Sequence, residues 1–220
     1  KGERIRVLRT GQRLSDSALI NAASAEARGE YLVLMSAQAQ VFNANWLDAM
    51  LNQAQRPEVG IVGAKLMNMA GVTTQAGLVL GSNGDIGSVF VGERKEDRGY
   101  LNGHQAEQNY SAVSGACLMV RKDLFDAVAG MDEEHFADAF ADVDLCLKAA
   151  DAGFLTVWTP QAQLLHSGVL PEAPQARAAL HDKWQGRFAH DTACNPNLVP
   201  SGKGFALGAA CAVNWAQLLA

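Results

Sequence analysis

A helical pattern leads directly into a strand in the stretch Ser15-Asp-Ser-Ala-Leu-Ile-Asn-Ala-Ala-Ser-Ala-Glu-Ala-Arg-Gly-Glu-Tyr-Leu-Val-Leu-Met35. This stretch is the clearest indication of the fold class. Serines at its start can cap a helix, and Gly29 can end it. The continuous apolar run Tyr31–Met35 has the length and composition of a strand that is covered on both faces. This stretch therefore predicts one helix–strand unit of an α/β sheet.

The residues on either side of this unit repeat the alternation. The patterns predict a short strand at residues 5–8, a helix at residues 44–55 and a further strand at residues 59–66. Such alternation is typical of a mostly parallel mixed sheet flanked by helices, in which ligands bind at the carboxyl ends of the strands. The loop after Met35 is the first place where we expect chemistry.

The second half of the chain has a more varied pattern. The glycine-rich residues 71–110 predict loops with one or two short strands, which form a cover over the sheet. Strands are also predicted at residues 111–121, 154–158 and 163–166, and helices at residues 123–128 and 171–190. We divide the chain into one domain over residues 1–204 and an apolar segment, residues 205–220, which predicts a helix leading into a further region.

The overall composition narrows the class of protein. The chain has 220 residues, of which 49% are hydrophobic and 19% are charged, and its formal net charge is −5. This length allows a substantial core, and the mild negative charge argues against nucleic-acid binding, which needs a basic face. The N-terminus lacks the apolar core of a signal peptide, and the four cysteines show no CxxC spacing. Reduced, buried thiols in a cytoplasmic protein are therefore expected.

The run Gly130-Met-Asp-Glu-Glu-His-Phe-Ala-Asp-Ala-Phe-Ala-Asp-Val-Asp-Leu-Cys-Leu-Lys-Ala149 is rich in carboxylates and then becomes an amphipathic helix. Its spacing places Asp142 and Asp144 in the first helical turn, where free backbone N–H groups favour ionised carboxylates. A carboxylate held there suits a general base or a metal site. By spacing alone, Asp142 is explained equally well as the N-cap of the helix.

Four motifs in order resemble the family-2 glycosyltransferases of the GT-A fold, and especially the bacterial enzymes that build rhamnose-containing surface polysaccharide or O-antigen. The motifs are Ser114-Gly-Ala-Cys-Leu-Met-Val-Arg121, Gly130-Met-Asp-Glu133, Asp142-Val-Asp-Leu145 with Gly153, and Lys183-Trp184 with Asp191 and Asn195-Pro-Asn-Leu198. The resemblance covers residues 5–207. It implies inverting transfer of a sugar from a nucleotide-sugar donor to a glycan acceptor, in the cytoplasm at the inner face of the membrane.

The resemblance also assigns roles to particular residues. Asp142 matches the base of the family's acidic pair, although its neighbour is Ala141 where the family usually has glutamate. The remaining assignments are Asp144 as a supporting carboxylate, Asp132 and Glu133 on the acceptor side, Ser36, Gln38, Gln40 and Gly115 on the donor side, and His166 near a divalent metal, Mn or Mg. A lone histidine such as His166 is otherwise a structural residue.

Two departures from the family pattern leave the activity open. The Asp-x-Asp metal motif should follow Met35, but the loop Ser36-Ala-Gln-Ala-Gln40 contains no carboxylate. The family's opening β-α-β unit would lie before Lys1, so we expect an open sheet edge that another domain or chain covers. Two functions remain: part of an inverting glycosyltransferase, and a catalytically silent GT-A-like module that binds glycan or a partner protein. A Rossmann-type dinucleotide site is disfavoured, because no GxGxxG follows a strand.

Overall fold

The computed structural model describes residues 5–82, 85–193, 195, 198–201 and 204–207. Helices α1 to α6 span Asp16–Glu26, Trp46–Ala54, Lys122–Ala127, Ala141–Asp151, Pro174–Lys183 and Gln185–Ala189. Strands β1 to β12 span Tyr31–Met35, Gln40–Val41, Val59–Met67, Thr73–Gln75, Gly77–Ser82, Asp85–Ser88, Gln108–Asn109, Ala112–Val113, Cys117–Arg121, Leu155–Leu165, Leu198–Ser201 and Gly204–Leu207. A 3-10 helix covers Tyr100–Gln105.

The main sheet has the strand order β1-β9-β3-β10-β2, with β4 joined to β3 and β7 joined to β10. β3 and β10 are parallel, whereas β9 lies antiparallel between β1 and β3. Strands β1, β3 and β10 therefore run in one direction, and their carboxyl ends meet at the same edge. The predicted mixed sheet with flanking helices is confirmed. The alternation of helices and strands predicted more parallel pairs than the structure contains. The difference arises because β9 lies antiparallel between β1 and β3.

The helix–strand unit that opens the described region forms where the sequence predicts it. Ser15 caps α1, since its hydroxyl accepts a hydrogen bond from the backbone N–H of Ala18 at 3.3 Å. The prediction that β1 is covered on both faces is confirmed in part: Leu32 is buried in one core cluster and Val33 packs against the other, but Met35 at the end of the strand is 41% exposed. Met35 lines an open cavity, and β1 pairs with β9 alone among the described strands, so it lies at the edge of the sheet.

The prediction of loops for residues 71–110 is wrong in part, because this region contributes a second, packed sheet. β5 pairs with β6 on one side and with β8 on the other. Leu78 and Phe90 are buried in the core. Close packing accounts for a glycine here, since a Cβ added at Gly77 would overlap the ring of Tyr110. The glycines that suggested a loop thus allow close approach between elements.

A buried lysine fastens the rest of this region to the main sheet. Lys65 on β3 is fully buried, and its Nζ donates to the backbone carbonyls of Lys95, at 3.2 Å, and His104, at 3.3 Å. Burial lowers the pKa of Lys65 to about 8, against the opposing effect of nearby carboxylates. The segment between β6 and β8 is therefore held on the core.

Three further predictions need correction. Residues 5–8 form no strand, because they lie exposed without a neighbouring strand. The two strands predicted around Pro160 are one strand, β10, whose register against β3 shifts between Thr159 and Gln163, where proline cannot donate to the ladder. Phe205 lies in β12, paired with β11, rather than in a helix. Residues 208–220 of the predicted helix lie outside the described residues, and no described helix is long and apolar enough to cross a membrane.

Candidate functional site

A cavity of about 870 Å³ opens at the carboxyl end of β1. One part is an apolar groove between α1 and β1. The other part is polar and is formed by residues from five separate segments, namely Ser36, Gln38, Gln75, Ser114, Gly115, Asp138, Asp142 and His166. The position agrees with the expectation that ligands bind where the strands end.

Asp142 reaches this cavity from the first turn of α4. Its Oδ2 accepts a hydrogen bond from the backbone N–H of Gly115 at 2.6 Å, and its Oδ1 accepts one from Val143 at 2.9 Å. Burial raises the pKa of Asp142, although these backbone hydrogen bonds act in the opposite direction. The N-cap of α4 is Phe140, in a left-handed conformation with φ 62°, so the interpretation of Asp142 as the N-cap is wrong.

Asp144 points away from the cavity, because two residues in a helix differ by about 200° in direction. Its side chain is completely buried. Its Oδ1 lies 2.8 Å from Lys183 Nζ and accepts a hydrogen bond from Trp184 Nε1 at 2.9 Å. Lys148 Nζ lies 3.3 Å from its Oδ2. The carboxylate that was predicted to support the reaction therefore holds α5 against α4 and does not line the cavity.

The two acidic residues predicted for the acceptor side also lie outside the cavity lining. Asp132 accepts hydrogen bonds from Lys183 Nζ at 3.0 Å and from the backbone N–H of His135 at 3.0 Å. Burial alone would raise the pKa of Asp132, but these hydrogen bonds outweigh it and hold the pKa well below its usual range. Glu133 accepts a hydrogen bond from Asn21 Nδ2 at 2.7 Å. Both carboxylates fix the loop between α3 and α4.

Asp138 and Gln75 are two of the polar lining residues that were not identified from the sequence. Asp138 belongs to the acidic run, but nothing in its spacing separates it from its neighbours; in the structure its Oδ1 accepts a hydrogen bond from the backbone N–H of Asp16 at 3.0 Å. Gln75 lies on β4, in the region predicted as loops, and its Nε2 donates to the carbonyl of Gly168 at 3.3 Å. Neither position carries a pattern that marks it as functional.

The loop that follows β1 supplies only neutral groups to the cavity. Ser36 and Gln38 line it, and the Ser36 hydroxyl accepts a hydrogen bond from the backbone N–H of Gln38 at 3.2 Å. Gln40 is exposed on β2 and does not contribute to the lining. His166 lines the cavity, and its Nδ1 is buried without a hydrogen-bond partner among the described residues. Burial lowers the pKa of His166 and so favours the neutral ring.

A divalent cation does not fit these residues. Mn²⁺ or Mg²⁺ needs several oxygen ligands, and neutral His166 would be one nitrogen ligand. Asp16, Asp138 and Asp142 also line the cavity, but Asp138 accepts a backbone hydrogen bond from Asp16, and both oxygens of Asp142 accept backbone hydrogen bonds. In the described part of the chain, no three His, Cys, Asp or Glu side chains form a group that could hold a metal ion. The described lining also includes no lysine or arginine to balance the charge of a diphosphate.

The fold is that of a GT-A-like α/β protein, and a solved structure supports this class. The crystal structure of GalNAc-T7 with UDP, GalNAc and Mn²⁺ matches with a TM-score of 0.64 at 14% identity, covering 84% of this chain and 38% of that chain. Residues 1–129 match the family model "Glycosyl transferase family 2", and the chain belongs to this family. The predicted family and GT-A-like fold are thus confirmed.

Two bacterial relatives extend over most of this chain. An uncharacterized protein of Sinorhizobium fredii is 40% identical over 215 residues, which is 93% of this chain and 24% of that protein. The O-antigen biosynthesis protein RfbC of Myxococcus xanthus is 33% identical over 191 residues, which is 83% of this chain and 15% of that protein. The chain therefore spans about a quarter or less of the length of these relatives.

Proposed function

We propose that this chain is part of an inverting glycosyltransferase, which moves a sugar from a nucleotide-sugar donor to a hydroxyl of a glycan acceptor in surface polysaccharide synthesis. The observation that carries the proposal is the position of Asp142, whose carboxylate is held by backbone N–H groups at the edge of the strand-end cavity. The relative named as an O-antigen biosynthesis protein supports the acceptor class.

In this proposal Asp142 is the general base. The acceptor hydroxyl gives its proton to Asp142 while its oxygen attacks the anomeric carbon of the donor sugar. The bond to the nucleotide breaks on the opposite side, and the nucleotide diphosphate leaves with the bonding electron pair. Because burial raises the pKa of Asp142, the carboxylate is a stronger base than an exposed aspartate.

The remaining predicted site residues take more limited roles. Ser36, Gln38 and Gly115 provide neutral hydrogen-bonding groups for the donor sugar, as lining residues of the cavity. Asp132 and Glu133 act on the acceptor side through the loop that they fix, rather than by direct contact. GalNAc-T7 was solved with Mn²⁺, but no step in this chain is assigned to a metal. We propose that the transfer takes place in the cytoplasm, at the inner face of the membrane.

The open edge of the sheet is relevant to how the domain works in a longer protein. β1 pairs with β9 alone among the described strands, and the relatives are several times longer than this chain. We propose that another domain or chain covers this edge and contributes the groups that bind the nucleotide.

The second candidate is a catalytically silent GT-A-like module that binds glycan or a partner protein. The observation that favours it is the neutral loop, residues 36–38, in a cavity whose described lining holds neither a cluster of three metal-ligating side chains nor a lysine or arginine. Hydrogen-bonding groups of this kind suit an uncharged saccharide better than a diphosphate.

The two candidates differ in turnover and in the stereochemistry of the product. The full-length protein is incubated with UDP- and dTDP-sugars and oligosaccharide acceptors, and NMR follows the anomeric proton of any product. Transfer with inversion, lost in Asp142→Asn, supports the glycosyltransferase. Saccharide binding by calorimetry without turnover of any donor supports the silent module, and transfer with retention contradicts the role of Asp142.

A further inference from the structure

A single lysine joins the two ends of the acidic loop, defined here as residues 132–140. Lys183 Nζ lies 3.0 Å from Asp132 Oδ2, at the start of the loop, and 2.8 Å from Asp144 Oδ1, in the helical turn that follows it. We propose that Lys183 is a positioning residue, which closes the acidic loop and thereby fixes Asp142 at the cavity. The proposal rests on the proposed role of Asp142 as base.

The contact between Lys183 and Asp144 is unlike an exposed ion pair. Asp144 is completely buried, and its oxygens are also approached by Trp184 Nε1 and Lys148 Nζ. A buried carboxylate is strongly unfavourable unless it is paired and hydrogen-bonded, so its partners hold their positions tightly. Lys148 in turn donates to the carbonyl of Gly130, just before the loop. The two ends of the acidic loop are therefore held together by several contacts around one buried carboxylate, that of Asp144.

The acidic loop forms part of the cavity wall. Asp138 and Phe140 line the cavity, and the loop also holds the start of α1. The carbonyl of Phe136 accepts a hydrogen bond from the Ser17 hydroxyl at 2.6 Å, and the carbonyl of Ala137 accepts one from the Ser17 N–H at 2.9 Å. If the two ends of the acidic loop were not held together, the loop would shift the part of the cavity wall between α1 and α4. Asp142 belongs to this part of the wall.

Lys183 exerts this effect without reaching the cavity itself. It is absent from the described lining, and its contacts are to the two carboxylates and to the rings of Phe136, at 5.4 Å, and Trp184, at 5.8 Å. Burial lowers the pKa of Lys183, but its hydrogen bonds to Asp144 and Asp132 outweigh this effect and raise the pKa, so the lysine stays charged. Its influence on transfer is therefore indirect.

The test uses the full-length protein with Lys183→Met, which keeps the length of the side chain but removes its charge, and with Lys183→Arg. We expect Lys183→Met to lower kcat by roughly tenfold to a hundredfold with little change in KM, since small displacements of a catalytic group have effects of this size. Amide hydrogen exchange should become faster in residues 132–144. Lys183→Arg should restore both properties in large part, because it retains the charge.

A matched control is Arg187→Met, which breaks an ion pair between α6 and the end of α4, where Arg187 Nη2 lies 2.6 Å from Asp151 Oδ1. It should leave kcat and exchange in the acidic loop unchanged. If Lys183→Met folds poorly, Lys183→Met with Asp144→Asn removes the unpaired buried charge and should still speed exchange in the loop. Unchanged exchange at residues 132–144, or equal loss in Arg187→Met, overturns the proposal. If only the proposed role of Asp142 as base is wrong, Asp142→Asn will leave transfer unchanged, while Lys183→Met will still speed amide exchange in the acidic loop.

Discussion

Two walls of one cavity differ in what they hold. The wall formed by the first turn of α4 carries Asp142, fixed by the backbone of Gly115, whereas the wall formed by the loop after β1 carries Ser36 and Gln38. The first wall keeps an ionisable group in a defined setting, and the second is neutral. The carboxylate that we propose as the base and the loop where the family pattern places a metal motif therefore lie on separate elements of the fold, and one can change while the other remains.

Burial explains why the two walls differ in their freedom to change. The α4 wall belongs to a helix that is buried along most of its length, including Val143, Leu145, Cys146 and Leu147. The loop wall leads into β2, where Gln40 and Val41 are exposed. Substitutions in the first wall disturb core packing, whereas those in the second meet solvent. Substitutions at Ser36 and Gln38 should therefore cost this fold little stability.

Removal of the charge at Asp142 should have the largest effect. We expect Asp142→Asn in the full-length protein to lower kcat by roughly 10²- to 10⁴-fold, the usual contribution of a general base. The measurement is steady-state transfer with saturating donor. Asp126→Asn, at an exposed position on α3 paired with Lys122, serves as the control. A similar loss in both variants would mean that Asp142 has no special role.

The pH dependence of transfer should report the protonation of the same carboxylate, that of Asp142. Because burial raises the pKa of Asp142, the base becomes protonated, and transfer is lost, as pH falls through a value above the ordinary aspartate pKa of about 3.9. The sign for stability is opposite: a raised carboxyl pKa in the folded state favours folding at low pH, and this contribution is lost as pH rises through the folded pKa. A pH–rate profile with an acid limb at the ordinary value would contradict the raised pKa.

The neutral wall can be tested by gain of a property. Ser36→Asp combined with Gln38→Asp should bind Mn²⁺ at least about tenfold more tightly than the native chain, because two carboxylates would then join His166 at the cavity. Calorimetry with the metal alone measures the change. Gln40→Asp adds a carboxylate outside the lining and should change nothing. Tight binding of Mn²⁺ by the native chain would remove the distinction between the walls.

The smallest effect is expected where the acidic loop meets α1. Asp138→Ala removes the acceptor for the backbone N–H of Asp16 and should lower the free energy of unfolding by about 1 kcal/mol, as for the loss of a helix cap. Denaturant unfolding followed by circular dichroism measures this. Glu134→Ala, at an exposed position of the same loop, should lie within about 0.5 kcal/mol of the native chain. Equal destabilisation in both variants would indicate that the hydrogen bond between Asp138 and the backbone of Asp16 contributes nothing to stability.

The sequence predicted those features that depend on local pattern. The bounds of β1 and the first turn of α4 follow from apolar runs and helical spacing, and both predictions are confirmed. The inward direction of Asp144 could not be predicted, since it depends on Lys183 and Trp184, which are distant in the sequence. The second sheet, to which residues 71–110 contribute β5 and β6, was missed for a similar reason. Glycine is required at position 77 because the ring of Tyr110, which is distant in the sequence, leaves no space for a Cβ.

The residue that precedes α4 gives the site an energetic character of its own. Phe140 has a left-handed backbone at φ 62°, which costs a bulky residue roughly 1–2 kcal/mol. The cost is offset by burial of its ring, which is only 3% exposed and lies under the guanidinium of Arg177 at 5.1 Å. A buried aromatic ring thus holds the backbone in a strained conformation two residues ahead of Asp142, the proposed base. Substitution of Arg177, which packs on that ring and lies outside the described cavity lining, should therefore shift the first turn of α4 and Asp142 with it.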